Sequence, residues 1–435
     1  MFQKWQSITL WKRVLIGLFV GLAIGLTMRW ILGIDTAKAV ADTAVKPFGD
    51  VFVRLIKMLV IPLIATTLVA GVTAMGDPKK LGSLGARTMG MYLVTTFFAV
   101  SLGLLVGTVL HPGTGVDYET AGAEAIDSVR GKIETADAAG GIVERLLQII
   151  PTNPIESLAR GAVLPTIFFA ILIGVGILVA GAAGDPVKNF FEAASEVVMR
   201  VTVLVMELAP YGVLALMTWV MATQGIEILW NMGKLAAALY LACGLQIVFV
   251  YGFLMIGCLL KLPVKQYLRG IADAQGVAFS TASSNATLPV SISCAENNLG
   301  VDKSVAGSVL PLGATINMDG TAIYLGLVAL FAGQAIGIEL TAMHYAMVAL
   351  TATLVSIGAA GIPSAGLLLA ATVLEVIGIG PDQSVLVIAF IFPFDRLLDM
   401  MRTVTNISGD AAVACIVAKW DGNLDEEVFR RDTEV

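Results

Sequence analysis

Apolar stretches of about 20 residues, the length that crosses a bilayer, recur along the first 260 residues of this chain. They lie near Val14–Leu32, Val51–Met75, Met91–Leu110, Pro165–Ala183, Val201–Ala222 and Leu235–Leu260. Inside lipid each backbone N–H and C=O must be satisfied within its own segment, which leaves helices as the expected element. Only 14% of residues are charged and 57% are hydrophobic, against about 25% charged in globular proteins. A water-soluble fold is excluded, and an all-α, multi-pass membrane protein is expected. Basic residues cluster at Lys4, Lys12 and Arg13, at Lys79, Lys80 and Arg87, and at Lys261, Lys265 and Arg269. If every segment crosses once, all three clusters fall on one side, which the bias of Lys and Arg marks as cytoplasmic. The N-terminus is then inside, and the acid-rich segment Asp117–Asp137 is a solvated loop outside. Lys12 and Arg13 lead into Val14–Leu26 without a small-residue cleavage site, so no cleavable signal peptide is read.

The stretch Asp395–Asp410 breaks the apolar pattern from inside it. Hydrophobic runs flank it at Val385–Phe394 and Ala411–Ala418. At about 100° per residue, Asp395, Asp399, Arg402, Thr403, Asn406 and Asp410 fall on one face about 100° wide. A charge at membrane depth costs at least about 2.5–3.5 kcal/mol and marks function more often than decoration. A polar site in a membrane helix is therefore favoured over the solvated face of a soluble helix. Other chemistries lack their residues. The four cysteines form no CxxC pair, and His111 and His344 are far apart in sequence. The net charge of −6 gives no reason to expect a nucleic-acid partner.

Regular spans stop after Lys265. Phe279–Pro289 (FSTASSNATLP) is small, hydroxyl-rich and closed by proline, yet lies between segments that read as embedded. A re-entrant hairpin with its tip at Ser283–Asn285 accounts for this, because irregular backbone is tolerated at depth only where protein or water surrounds it; a surface loop is the alternative. Val305–Ile338 is apolar except for Asn317-Met318-Asp319-Gly320-Thr321, which reads as one span interrupted at its middle. Freed carbonyls and the Asp319 carboxylate would offer oxygen ligands to a hard cation. A second irregular tip follows at Ser356–Gly366 (SIGAAGIPSAG). In the first half, Tyr92, Thr95 and Thr96 share one helix face, although such hydroxyls often only bond back to their own helix. Ile149–Gly161 (IIPTNPIESLARG) reads as a broken connection. Tip then broken helix, followed by tip then polar helix, is the duplicated discontinuity of inverted-repeat secondary transporters.

SSNATLP, NMDGT, AAGIPSAG and DMMRTVTNISGD, with PTNP and ELAPYGVLAL (Glu207–Leu216), closely resemble the signature segments of the dicarboxylate/amino acid:cation symporters, the glutamate transporter family. The resemblance runs from about Trp11 to Lys419. It implies eight transmembrane helices, two re-entrant hairpins, inverted repeats and a homotrimer. Scaffold helices 1 and 2 would occupy 11–88, helix 3 of the transport domain 89–112, and scaffold helices 4 and 5 141–225. The rest of the transport domain would occupy 232–420, with a cytoplasmic tail at 421–435. The transport domain would move across the membrane like an elevator. The same resemblance implies that Arg402 holds the substrate side-chain carboxylate and Asp399 its amino group. Asn406 and Ser284 would serve the α-carboxylate, Asn285 and Thr403 would also line the substrate site, and Thr321 and Gly366 would help close it. Sodium ions, carried as cargo, would be held by Asp319, Asp410, Asn317 and Asn406, with Gly313, Met318 and Ser356 adding backbone oxygens. Tyr92, Thr95 and Thr96 would complete a further sodium site, and Asp395 would steady Arg402. No organic cofactor is implied. Three departures stand out: Asn285 replaces a usual third serine, Ala282 and Met400 stand where many relatives carry an extra arginine, and Leu325 stands where potassium-coupled relatives have glutamate. The last speaks against potassium counter-transport.

The function expected is therefore sodium-coupled import of acidic amino acids, with a proton-coupled glutamate carrier or a C4-dicarboxylate symporter of the same family as alternatives. Two rivals come from other classes. An intramembrane aspartyl protease would use Asp319 and Asp399, but no GxGD surrounds either, and Arg402 one turn from Asp399 would keep that residue ionised. A simple channel would not need two occludable tips beside an amino-acid-shaped charge pair.

Overall fold

A computed structural model describes residues 8, 10–74, 78–115, 147, 150–223, 225–357, 359 and 364–431. The acidic segment Asp117–Asp137 and residues 358 and 360–363 of the second tip fall outside the described residues. Among the described residues the protein is helical throughout, with one isolated antiparallel bridge between Val301 and Leu424.

Helix α1 (Leu10–Leu32) is followed by the short α2 (Ile34–Val40) and a π-helical turn, Ala41–Val45. Helices α3 (Lys46–Ala74) and α4 (Pro78–Leu110) come next. The short α5 (Pro154–Arg160) is capped by Asn153, whose side chain accepts from the Ile155 and Glu156 amides, and Pro154 opens it without a wasted donor. Helices α6 (Val163–Ala180), α7 (Asp185–Met206) and α8 (Ala209–Thr223) complete the first half. The apolar run Val201–Ala222 is therefore not one span. It breaks at Glu207–Leu208, between α7 and α8. Pro210, which cannot donate to a continuing helix, sits in the first turn of α8. Glu207 at the break accepts two bonds from the Arg13 guanidinium, at 2.8 and 3.2 Å.

Helices α1 and α8 touch backbone to backbone. Gly17, Gly21 and Gly25 line one face of α1, and a methyl group at any of them would overlap the carbonyl oxygens of Pro210, Leu214 and Thr218. Small residues every fourth position are how membrane helices approach closely without a hydrophobic driving force. Helix α3 packs on α6, α7 and α8, which closes a first set of helices.

The second half of the chain runs from Glu227 to Arg430. Helix α9 (Glu227–Leu245) runs on as a π-helical segment, Gln246–Leu259. After α10 (Val264–Gly270), helices α11 (Ala272–Thr281) and α12 (Ser284–Asn297) fold back on each other across Ala282–Ser283. The expected hairpin is present, with its turn one residue earlier than the sequence suggested, because the Ser283 side chain caps α12 by accepting from the Ala286 amide. Helices α13 (Lys303–Ile316) and α14 (Asp319–Ile336) are the two arms of the interrupted span. Helices α15 (Ala342–Ile357) and α16 (Ala365–Val376) pack together as the second pair. Helix α17 (Pro381–Trp420) carries the polar face, and α11, α12, α13, α14 and α16 all pack on it. The short α18 (Glu426–Arg430) buries Phe429.

Among the described residues, five helical stretches are long and apolar enough to cross a membrane: Lys12–Leu32, Arg87–Leu110, Phe168–Val205, Leu229–Leu259 and Lys303–Ile336. Phe19, Trp30, Phe97, Phe98, Val179, Leu204 and Phe249 stand exposed on helix exteriors, as expected of surfaces that meet lipid or another chain. The protein is an integral, multi-pass, all-α membrane protein. The two halves meet along a seam where Phe52 lies edge-on to Phe392 at 4.8 Å and Trp219 lies 5.6 Å from Phe390. A cavity of about 930 Å³ opens on the seam between Thr67, Ile171 and Glu192 on one side and Pro311 and Asn285 on the other, with Met89 of α4 also on its wall.

Candidate functional site

Helix α17 places Asp395, Asp399, Arg402, Thr403, Asn406 and Asp410 on a face that its neighbours bury completely. The one-face reading of this helix holds, and the residues divide into two clusters.

The first centres on Arg402, which is wholly buried. Its Nη2 donates to Asp395 Oδ1 at 2.9 Å and to Asp399 Oδ1 at 2.8 Å. The guanidinium carbon lies 4.0 Å from the centre of the Tyr324 ring, a cation–π contact from α14. Arg402 Nε and Nη1, and Asp395 Oδ2, are buried without a hydrogen-bond partner. Gly366, in the first turn of α16, sits against Arg402 Nη1 and the Thr321 methyl group, where any side chain would collide with the guanidinium. The Ser364 amide donates to Asp399 Oδ2 at 2.7 Å. Ser364 holds a left-handed backbone, φ 63° and ψ 11°, a conformation that residues with a Cβ rarely keep outside constrained sites. Thr403 only bonds back to the Asp399 carbonyl. Ser284 is buried at the start of α12, whereas Asn285 beside it is exposed and lines the seam cavity, apart from the Arg402 cluster.

The second cluster lies at the α13–α14 break. Asn317 and Met318 leave helical geometry there, with ψ of 81° and 53°. Asn406 bridges the break: its Oδ1 accepts from the Gly320 amide at 2.7 Å, one of the orphan donors of α14, and its Nδ2 reaches Met318 Sδ at 3.1 Å. Asp319 accepts from the Thr96 hydroxyl at 2.6 Å and from the Tyr251 hydroxyl. Asp410 accepts from Asn317 Nδ2 at 2.9 Å. The Thr95 hydroxyl lies 3.3 Å from Asn317 Oδ1. Tyr92 donates to the Val309 carbonyl at 2.9 Å, and its hydroxyl and Asp410 Oδ1 both crowd Gly313. Helix α4 thus brings Tyr92, Thr95 and Thr96 to Asn317, Asp319 and Asp410, and no Lys, Arg or His among the described residues bonds either carboxylate. Two buried carboxylates among hydroxyl, amide and backbone oxygens form a donor set suited to a hard cation. Ser356 stands apart, its hydroxyl bonded to the Thr353 carbonyl.

Several residues at the site carried no notice in the sequence. Tyr251 and Gln246 come from the π-helical part of α9: Tyr251 bonds Asp319, Gln246 Nε2 donates to the Thr95 carbonyl at 3.3 Å, and Gln246 Oε1 is buried without a partner. The available signal was a glutamine in the middle of an apolar span, a costly placement unless it is used. Tyr324 and Ser364 gave none. Asp319 and Asp399 have separate partners, Thr96 with Tyr251 and Arg402 with Ser364, and so form no carboxylate dyad.

Comparison with known proteins agrees with this architecture. The family model described as the sodium:dicarboxylate symporter family matches residues 10–420. The chain is 35% identical over 412 residues to the proton/sodium-glutamate symport protein of Bacillus subtilis (strain 168), covering 94% of each chain. It is 33% identical over 417 residues to the proton/glutamate-aspartate symporter of Escherichia coli (strain K12), covering 95% of this chain and 93% of that one. It is 34% identical over 386 residues to the C4-dicarboxylate transport protein of Rhodospirillum rubrum, covering 88% and 84%. A match this long, on a chain whose membrane helices bury two polar clusters, has one consequence: the protein belongs to the sodium:dicarboxylate symporter family, whose members are transporters and not enzymes.

Proposed function

We propose that this chain is a symporter that imports aspartate or glutamate with sodium ions. The observation that carries the reading is the pair of free donors on Arg402, Nε and Nη1, inside a wholly buried cluster that also holds Asp399. A carboxylate accepting from both would satisfy them in the bidentate geometry that guanidinium favours. The substrate ammonium group would take the place of the Ser364 amide at Asp399, and Ser284 and Asn406 would meet the α-carboxylate beside Thr321, Thr403 and Gly366. Asn285 would contribute through the tip it belongs to. Sodium, as cargo, would be held by Asp319, Asp410, Asn317 and Asn406, with backbone oxygens near Gly313, Met318 and Ser356, and by Tyr92, Thr95 and Thr96. Asn406 links the two events, since it touches the broken span and lies one turn from Arg402.

The division into a scaffold (11–88 and 141–225) and a transport domain (89–112 and 232–420) is supported by the two packed helix sets and the seam between them. Elevator movement of the second against the first, with eight spanning helices, two hairpins and three copies per assembly, completes the proposal. Both termini would be cytoplasmic, as the clusters of Lys and Arg suggest. Leu325 leads us to expect that the empty carrier returns without potassium. Proton coupling is the second reading, favoured by the names of the relatives and by carboxylates that would accept protons in place of sodium. A C4-dicarboxylate substrate is disfavoured by Asp399, which would repel a dianion that lacks an amine. Uptake of labelled aspartate into proteoliposomes, with sodium and proton gradients imposed separately, tests the proposal: uptake driven by sodium alone supports it, and uptake driven only by protons replaces it with the second reading.

A further inference from the structure

We infer that Arg396 is a positioning residue that anchors the tip of the first hairpin to α17. Arg396 follows Asp395 but does not join the Arg402 cluster. Its Nη2 donates to the Thr281 carbonyl at 3.0 Å and to the Ser280 carbonyl at 3.4 Å. These are the last two residues of α11, whose terminal carbonyls have no partner within the helix. A guanidinium there also meets the negative end of the helix dipole. The next residue, Ala282, is held in the left-handed region at φ 50° and ψ 41°, a strained state for a residue with a Cβ that lasts only where the surroundings fix it. Ser283 then caps α12 and leads directly into buried Ser284. The clamp therefore acts at the turn that leads directly into Ser284.

Ser364, just before α16, is held differently. Its described bond to α17 is the Ser364 amide on Asp399, a carboxylate that the substrate ammonium group would claim. The first tip's anchor uses backbone carbonyls that no substrate group contests. Arg396 would therefore hold the first tip whether or not a substrate occupies the site. This inference rests on the proposed function for the identity of the competing group, but the anchor itself does not depend on it.

The test is hydrogen exchange of the full-length protein in lipid, without substrate, followed through residues 279–287, together with aspartate affinity in sodium. Arg396→Ala should speed exchange at the first tip by about tenfold or more, the scale of a lost charge-assisted bond, and leave the amides of α16 unchanged. Aspartate affinity should fall about tenfold with little change in maximal uptake rate. Arg396→Lys, which restores a cationic donor to the same carbonyls, should recover both to within about threefold, a rescue that a merely space-filling role would not give. If Arg396→Ala does not assemble, Arg396→Gln takes its place, with tip exchange faster than wild type expected. Tip exchange equal to wild type in the Ala or Gln variant overturns the inference, as does an Arg396→Lys protein no better than Ala. If wild type fails to bind aspartate while tip exchange still responds to Arg396, the proposed function fails and the anchor stands.

Discussion

Helix α17 carries two polar clusters, centred on Arg402 and on Asp410 about two turns further along, and their electrical designs are opposite. Around Arg402 a guanidinium sits between Asp395 and Asp399, so one of the two carboxylate charges is offset from within and donors remain to spare. Around Asp319 and Asp410 two carboxylates are buried with hydroxyls and an amide as partners and no base. Uncompensated buried charge costs several kcal/mol per ion, so the second cluster calls for positive charge from outside. The first cluster suits a ligand that brings both signs, and the second suits a bare cation. The contrast teaches that one helix face, uniform by sequence periodicity, presents two different chemical environments because α14 sets Tyr324 over Arg402 while α4 brings Thr95 and Thr96 to the other end.

The sharpest way to break that contrast is Arg402→Cys. Removing the base leaves Asp395 and Asp399 unpaired and any substrate carboxylate without its donor, a loss of about 3–5 kcal/mol. Binding of aspartate to the folded variant should weaken by at least about a hundredfold, and titration calorimetry at high sodium checks it; wild-type affinity would remove Arg402 from the site.

Asp399→Ala should act next, with about a hundredfold loss for aspartate and a distinctly smaller loss for a four-carbon dicarboxylate that lacks an amine. Competition against labelled aspartate reads the ratio, and equal losses would make Asp399 structural.

At the other end, Asp319→Asn or Asp410→Asn should spare Arg402 while flattening the dependence of aspartate affinity on sodium. Because linkage is reciprocal, sodium binding should lose its dependence on aspartate by the same factor. A variant that keeps the full sodium dependence would show that the carboxylate in question is not part of the coupling.

The smallest effect is expected from Tyr251→Phe, which deletes one hydroxyl donor to Asp319. Sodium affinity should change by about fivefold, the scale of a single hydrogen bond, with aspartate affinity at saturating sodium unchanged. An equal change in both would place Tyr251 in the organic-ligand cluster.

How much of this was legible in the sequence varies with the kind of signal. The face of α17 was legible because a helical period of polar residues inside apolar flanks has few other solutions. The Asn317–Thr321 break and the first hairpin were legible from turn-forming residues between embedded arms, with the turn misplaced by one residue because Ser283 acts as a cap. The break at Glu207–Leu208 was missed since the residues on both sides of Pro210 are equally apolar, and hydropathy averages across a kink. Gln246 and Tyr251 were missed because the π-helical winding of Gln246–Leu259 changes which residues share a face. Arg396 was unreadable for another reason: beside Asp395 it looks like half of a local pair, and only the fold brings the carbonyls of Ser280 and Thr281 to it. The roles of individual residues came from family resemblance, since spacing alone assigns no ligand to Arg402 or Asp319.

The claim that the two clusters serve separate but linked ligands is tested most directly by measuring aspartate affinity against sodium concentration at fixed pH and ionic strength, and against pH at fixed sodium. The account predicts that affinity rises steeply with sodium, because cations that neutralise Asp319 and Asp410 order the broken span to which Asn406 is bonded. Affinity that follows pH and ignores sodium would contradict it and make those carboxylates proton carriers.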